Sequence, residues 1–204
     1  MQIIGLSGGI ASGKNEVAKI FENFGVPVFD ADFLVHDFYE NNPKIIAQIQ
    51  ENFSIFQGKN FIDRKLLSEI ISNEPAKIKV LEQIIHPEIK NKFDEFVKIN
   101  QQKNSPLILL NIPLLLEKNH YQTDKIIAVI TDKNIRLNRY LSRFTTQGDI
   151  DKKIQKFEFF NNLQLTDEQR LKNCDFVIYN NSDVEALKLQ VQELFSKFNF
   201  AKNE

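Results

Sequence analysis

A glycine-rich segment near the start of the chain has the residue types and spacing of a phosphate-binding loop. The stretch GLSGGIASGK at residues 5–14 matches the pattern G-x-x-x-x-G-K from Gly8 to Lys14. Glycines let the backbone turn tightly and aim N–H groups at an anion, and a helix that follows adds the positive end of its dipole. Lys14 is a cation able to reach the β- and γ-phosphates of a nucleotide. The segment therefore predicts a binding site for a polyphosphate.

The position after Lys14 departs from that pattern. A Ser or Thr there supplies a hydroxyl to magnesium, whereas this chain has Asn15. An amide oxygen is also a hard ligand, so we expect Asn15 to bind Mg2+ in place of the hydroxyl. We also expect the enzyme to need a higher Mg2+ concentration than one with Ser or Thr there. Two alternatives stay open, a nucleotide-binding module without catalysis and a glycine-rich turn that binds nothing. A dinucleotide site is disfavoured because G-x-G-x-x-G is absent here.

A pair of acidic residues follows the second predicted strand. The sequence FDAD places Asp30 and Asp32 at the carboxyl end of that strand, the edge where ligands bind in open α/β sheets. One carboxylate could accept the proton of an attacking hydroxyl, and the other could hold magnesium-bound water or the loop. The alternative is that one of them only caps the helix that follows.

Composition limits the classes of protein to which these residues could belong. The chain has 204 residues, 42% of them hydrophobic, a formal net charge of −1 and one cysteine. These values predict one soluble domain without a disulfide framework and without a general attraction for nucleic acid or membranes. No apolar run is long enough to span a bilayer, and only Met1 and Gln2 precede the first predicted strand, so we expect the cytoplasm.

Alternating strand and helix patterns predict an α/β fold with a five-stranded parallel sheet between helices. The predicted strands lie at 2–6, 26–29, 107–112, 126–130 and 175–179. Almost 80 residues separate the second and third strands, and their helical pattern predicts an inserted lobe at 33–104, with Pro75 and Pro87 in the first turns of helices. A basic helical stretch at 133–172 predicts a lid over ATP.

Together, these segments resemble the dephospho-CoA kinase family. The matching stretches are GLSGGIASGK, DAD at 30–32, DR at 63–64, HPEI at 86–89, IPLLLE at 112–117, Arg139 with Arg143, and DFVIYN at 175–180. The resemblance implies a P-loop fold similar to nucleoside monophosphate kinases. It also implies ATP-dependent phosphorylation of the ribose 3′-hydroxyl of dephospho-CoA, the last step of coenzyme A biosynthesis. The implied partners are two small molecules, ATP and dephospho-CoA.

The resemblance also assigns roles to residues. Asp32 would be the general base, and Lys14 would stabilise the transferred phosphate. Contacts to ATP would come from Gly8, Gly9, Ile10, Ala11, Ser12, Gly13, Lys14, Asn15, Glu16, Arg139 and Arg143, the two arginines sharing a helix face. Contacts to dephospho-CoA would come from Asp32, Arg64, His86, Pro113, Leu114 and Glu117.

Several positions differ from the pattern of that family. Asn15 stands where Ser or Thr is usual, Asn111 where many relatives have Asp, and Phe160 near a position where many have a lid arginine. Lys156, Arg136 or Arg170 could replace that arginine. Another small-molecule P-loop kinase, of the nucleoside monophosphate or shikimate type, and an ATP-binding module without turnover remain the alternatives. A guanine-nucleotide switch is disfavoured because N-K-x-D is absent after a strand.

Overall fold

A computed structural model describes residues 1–74, 76–113, 115, 121–144 and 149–198 of the chain. It contains a five-stranded sheet in the order β2-β3-β1-β4-β5. The strands are β1 (Gln2–Gly8), β2 (Val28–Asp30), β3 (Leu107–Asn111), β4 (Lys125–Ile130) and β5 (Phe176–Tyr179). The pairs β1–β3, β1–β4 and β4–β5 are parallel. The predicted fold class and the five predicted strands are confirmed.

The central strands are buried on both faces. Every residue of β3 is buried, and β1 and β4 are buried beyond their first residues. Helix-covered parallel sheets need such continuous apolar strands, and this requirement explains the runs LILLN and KIIAVI. Parallel pairing also brings the carboxyl ends of β1, β4 and β5 to one edge of the sheet, where the glycine-rich segment begins.

The chain divides into two compact units. The first comprises Met1–Phe29 and Asn100–Glu204, and the second comprises Asp30–Ile99. Helices that lie in the first unit are α1 (Lys14–Asn23), α6 (Lys133–Leu141), α7 (Ile150–Asn162), α8 (Asp167–Lys172) and α9 (Val184–Lys197). Helices of the second unit are α2 (Ala31–Asn41), α3 (Pro43–Asn52), α4 (Arg64–Asn73), a 3-10 turn (Ser54–Phe56) and all but the last three residues of α5 (Lys77–Gln102).

The core of the first unit joins the sheet to α1 and α9. Phe21 of α1 and Val191 of α9 are fully buried against strand residues such as Ile127. Helix α1 ends where Gly25 takes a φ of 82°, as the sequence predicted, and Val26 N–H donates to the Phe21 carbonyl at 3.1 Å. Packing on this side therefore fixes the direction in which α1 leaves the glycine-rich segment.

The second unit is helical and has its own buried residues. Ile45, Ile49 and Phe56 are fully buried, and Asn42 caps α3 by accepting from the backbone N–H groups of Lys44 and Ile45. Asp63 caps α4 in the same way through Lys65 and Leu66. The predicted boundaries 33–104 and the substrate-binding role of this region remain predictions. No helix in the described ranges is both long and apolar enough to cross a membrane.

One predicted helix boundary is wrong. Pro87 lies in the interior of α5, which runs continuously from Lys77 to Gln102, instead of opening a new helix. A proline there removes one backbone hydrogen bond. Ile85, Ile89 and Phe93 are nevertheless buried at helical spacing on both sides of it, and this packing carries the helix through. The other proline in question, Pro75, lies outside the described residues.

Candidate active site

The glycine-rich segment forms a loop between β1 and α1. Two of its residues have positive φ, Ala11 at 58° and Gly13 at 95°, and Ser12 N–H donates to the Gly9 carbonyl at 3.1 Å. Gly13 is the N-cap of α1 and has no side chain with which to cap the helix. The N–H groups at the start of α1 are therefore left to other acceptors, which is the arrangement that binds anions.

The loop is held to the sheet through one carbonyl group. The Ser12 carbonyl accepts from Thr131 Oγ1 at 2.9 Å and from Asn180 Nδ2 at 2.8 Å. Thr131 directly follows β4, Asn180 directly follows β5, and both side chains are buried. Two strand ends thus fix the middle of the loop.

The glycines of the loop are required by close contacts. A Cβ on Gly13 would lie 2.1 Å from Asn180 Nδ2, and a Cβ on Gly8 would lie 2.8 Å from the Val129 carbonyl oxygen. A Cβ on Gly9 would lie 2.5 Å from Nη1 of Arg136. The backbone of the loop therefore packs directly against its surroundings at all three positions.

Two polar atoms are buried at the loop without a hydrogen-bond partner in the described part of the chain. Ser12 Oγ and Arg139 Nη1 make no hydrogen bond to any described residue. Arg139 donates through its other terminal nitrogen, Nη2, to Asn180 Oδ1 at 3.3 Å. Buried donors are almost always satisfied in proteins, so two orphans at an anion-binding loop indicate phosphate oxygens as their acceptors.

The ammonium group of Lys14 lies over the beginning of the loop. Its Nζ donates to the Gly8 carbonyl at 2.8 Å, and the side chain is half-buried. Glu16, two positions further along, is the acidic residue in the first turn of α1. A cation at this place adds to the positive end of the helix.

Asn15 is paired with a residue on a different strand. Its Oδ1 accepts from Nδ2 of Asn111, the last residue of β3, at 3.0 Å. Residues 15 and 111 are both positions at which this chain differs from the family that it resembles, and the two side chains contact each other. An amide oxygen has two acceptor sites, so Asn15 keeps capacity for a second partner.

Residues of the predicted lid are bonded to the loop and the sheet. Gln164 Oε1 accepts from the Ile10 N–H at 2.7 Å. Arg136 donates to the Thr131 carbonyl at 3.0 Å and to Asn161 Oδ1 at 2.8 Å. Arg170 donates to Ser7 Oγ and to the Leu165 carbonyl. Both guanidinium groups are buried and hold the fold, which leaves the exposed Lys156 as the remaining candidate for the missing lid arginine.

The prediction that Arg139 and Arg143 share a helix face is wrong. Helix α6 ends at Leu141, Ser142 is its C-cap, and Arg143 follows as an exposed residue beyond the helix. The backbone tightens there, because Arg143 N–H donates to Tyr140 at i−3. Arg139 lies beside the loop, whereas a role of Arg143 in ATP binding remains a prediction.

The second unit holds the two acidic residues and the predicted substrate contacts. Asp30 is the last residue of β2 and caps α2 by accepting from the Phe33 N–H at 2.9 Å. The helix cap that the alternative expected is therefore present at Asp30, and any further role of Asp30 remains a prediction. Asp32 is an exposed residue in the first turn of α2, so it lies in the helix and not at the end of the strand.

Arg64 and His86 are exposed on different helices of the second unit. Arg64 is the first residue of α4, and His86 lies within α5. Burial raises the pKa of Tyr39 to about 12, and the charge of Arg64 acts in the opposite direction. The phenol stays neutral at physiological pH and does not cancel the charge of Arg64. Of the other predicted substrate contacts, Pro113 is exposed, and Leu114 and Glu117 lie outside the described residues.

Three polar residues of this site were not assigned from the sequence. The residues that contact the loop are Thr131, Asn180 and Gln164. Asn180 belongs to the motif DFVIYN, but the sequence analysis gave it no role. Thr131 and Asn180 each directly follow the apolar run of a predicted strand. That position was a usable signal, since polar residues at the carboxyl ends of parallel strands face the ligand edge.

A family model and relatives of similar sequence identify one family. The family model described as dephospho-CoA kinase matches residues 2–186. The dephospho-CoA kinase of Bartonella quintana is 36% identical over 100% of both chains. That of Fusobacterium nucleatum is 36% identical over 94% of this chain and 96% of its own. The structure of dephospho-CoA kinase from Campylobacter jejuni has the same fold, with a TM-score of 0.64 at 24% identity over 97% of each chain.

Substitution of Gly13 tests the geometry of the loop. Gly13→Ala places a methyl group against Asn180 at a positive φ, so we expect loss of measurable ADP binding by titration calorimetry. Gly25→Ala is the matched control, because its φ is also positive but nothing lies within 4 Å of the added methyl group. It should cost only about 1–2 kcal/mol of folding free energy and leave ADP binding intact. Equal effects of the two substitutions on binding would contradict the role of the loop contacts.

Proposed function

The chain belongs to the dephospho-CoA kinase family, and we propose that its glycine-rich loop holds the phosphates of ATP while Asp32 activates the acceptor. The activity of the family is phosphorylation of dephospho-CoA, the last step of coenzyme A biosynthesis. The observation that carries the proposal is the pair of orphaned buried donors, Ser12 Oγ and Arg139 Nη1, beside an uncapped helix N-terminus. Phosphate oxygens of a nucleotide satisfy all three features.

Phosphoryl transfer requires stabilisation of the negative charge on the transferred group. Negative charge is spread over the transferred phosphoryl group, and positioning with electrostatic stabilisation supplies most of the catalysis. Lys14 and Arg139 bring the cations, and the first turn of α1 brings its N–H groups. Lys14 exchanges the Gly8 carbonyl for a phosphate oxygen when nucleotide binds.

Asp32 accepts the proton of the attacking hydroxyl. As the ribose 3′-oxygen bonds to the γ-phosphorus, its proton passes to the carboxylate, and the bond from phosphorus to the bridging oxygen breaks to release ADP. The Asp30 carboxylate caps α2 through Oδ1, and the proposal assigns the role of base to Asp32. Its exposure on α2 leaves it accessible to an acceptor. Arg64 and His86 bind dephospho-CoA in this proposal, with the charge of Arg64 directed at its phosphates.

The residues around Asn15 fit a magnesium ion. Asn15 Oδ1 is a hard oxygen with one acceptor site left after its bond from Asn111. Magnesium usually takes only one or two protein ligands and completes its shell with phosphate oxygens and water, so Asn15 would hold it together with the nucleotide. The ion would neutralise charge on the β- and γ-phosphates. A cytoplasmic location remains a prediction.

The reaction itself is tested with a coupled assay of ADP release. With ATP and Mg2+ present, we expect release that depends on added dephospho-CoA, and a product that carries one more phosphate by mass spectrometry. Shikimate and nucleoside monophosphates serve as control acceptors. If ADP were released only with one of these control acceptors, that acceptor would be the substrate in place of dephospho-CoA. ATP binding without any ADP release would favour a nucleotide-binding module.

Loss of the base is the first mutational prediction. Asp32→Asn keeps the shape of the side chain but cannot accept the proton, so kcat should fall by about 10²- to 10⁴-fold with ATP affinity nearly unchanged. Asp37→Asn is the control, since it changes the same charge on the same helix. Near wild-type turnover in Asp32→Asn would falsify the assignment of the base.

The metal position gives a second mutational prediction. Asn15→Ser restores a shorter hydroxyl ligand, so the Mg2+ concentration for half-maximal rate should decrease, while ATP affinity in metal-free buffer changes little. Asn23→Ser, an exposed substitution at the end of the same helix, should leave the Mg2+ curve in place. Superimposable curves for Asn15→Ser and wild type would mean that residue 15 does not contact the metal.

A further inference from the structure

The peptide unit between Ser12 and Gly13 has its direction set from outside the loop. Its carbonyl accepts from Thr131 Oγ1 and Asn180 Nδ2, the two residues that follow β4 and β5. The described peptide bonds include no cis bond, so this unit is trans and planar. In such a unit the C=O and N–H groups point in opposite directions. Anchoring the Ser12 carbonyl therefore aims the Gly13 N–H away from Thr131 and Asn180.

The amide of Asn180 has only one possible orientation. A backbone carbonyl only accepts hydrogen bonds and a guanidinium only donates them, so Nδ2 must face Ser12 and Oδ1 must face Arg139. The residue is only 5% exposed, and its backbone N–H donates to the Ile130 carbonyl at 2.8 Å. Asn180 is thereby fixed through its backbone and both side-chain atoms.

The same amide sets the position of a cation. Arg139 donates to Asn180 through Nη2, and its buried Nη1 has no acceptor among the described residues. Nη1 lies 3.8 Å from the point where a Cβ on Gly13 would be. A guanidinium donor and the backbone of residue 13 therefore lie side by side.

We propose that Asn180 is a positioning residue that aims the Gly13 N–H and the Arg139 guanidinium at one phosphate of the nucleotide. The inference rests on the proposed function, since that function supplies the nucleotide. A carboxylate at 180 would set an oxygen against the Ser12 carbonyl, and an aliphatic side chain would release both partners. Only a primary amide of this length provides a donor and an acceptor at the two required points.

The test measures ADP affinity by titration calorimetry, which requires no acceptor substrate. Asn180→Ala should weaken ADP binding by about 10- to 100-fold, because it loosens two donors to a charged ligand. Arg139→Ala should weaken binding in the wild-type background but by less than about twofold in the Asn180→Ala background. In turnover assays, Asn180→Ala should raise KM for ATP and leave KM for dephospho-CoA unchanged.

A neighbouring asparagine supplies the matched control. Asn181 also makes two hydrogen bonds through its amide, but both are to Asp132 at the N-cap of α6 and not to the loop. Asn181→Ala should leave ADP affinity within about twofold of wild type. An effect on ADP affinity equal to that of Asn180→Ala would overturn the proposal, because general loosening of these strand ends would then explain it.

A second variant keeps the test valid if Asn180→Ala does not fold. Thr131→Val keeps the side-chain shape and removes only the other donor to the Ser12 carbonyl. This substitution should weaken ADP binding. Adding Arg139→Ala to it should lower ADP affinity as much as in wild type, since the bond between Arg139 and Asn180 remains. Unchanged ADP affinity in Thr131→Val, or independent effects of Asn180→Ala and Arg139→Ala, would overturn the proposal. If wild type binds ADP but does not phosphorylate dephospho-CoA, the proposed function fails, and the ADP titrations still decide the role of Asn180.

Discussion

The Ser12 carbonyl is the point on which the geometry of the glycine-rich loop depends. A loop of glycines has no stable shape of its own, because glycine populates more backbone conformations than any other residue. Hydrogen bonds from Thr131 and Asn180 supply the missing constraint from strands β4 and β5. Strand β4 is buried beyond its first residue, and Thr131 and Asn180 are themselves buried, so close packing at these strand ends determines where the N–H groups of the loop point.

The electrostatics around the loop follow from the kinds of polar group that are buried. Within the described part of the chain, the buried polar side chains are amides, hydroxyls and two guanidinium groups, with no carboxylate among them. Neutral amides such as Asn111 and Asn180 make specific hydrogen bonds without repelling a polyphosphate. A buried carboxylate would oppose an anion strongly, since charges interact more strongly at low dielectric than in water. The pairing of Asn15 with Asn111 extends this neutral character to the expected metal position.

Buried arginines join the predicted lid region to the rest of the first unit. Arg136 spans the end of β4 and helix α7, and Arg170 connects α8 to Ser7 in β1. Burying a guanidinium is costly unless its donors find acceptors. The acceptors are backbone carbonyls, Asn161 and Ser7. In addition, Asp167 Oδ1 lies 3.8 Å from Arg170 Nη1. These two cations therefore serve the architecture, in contrast to Arg139, whose buried Nη1 makes no hydrogen bond to a described residue.

The sequence by itself determined the elements and the motif. Apolar runs marked the five strands, and the spacing of Gly8, Gly13 and Lys14 identified the loop, because both signals depend only on neighbouring residues. The tertiary structure decided the contacts between distant residues: Asn15 with Asn111, Ile10 with Gln164 and Ser12 with Asn180 are separated by 96 to 168 positions. It also decided that Asp30 caps a helix and that α5 continues through Pro87. Such outcomes depend on which strand ends become neighbours and on which faces are buried. Local sequence patterns carry neither kind of information, since strand order and packing arise only when the whole chain folds.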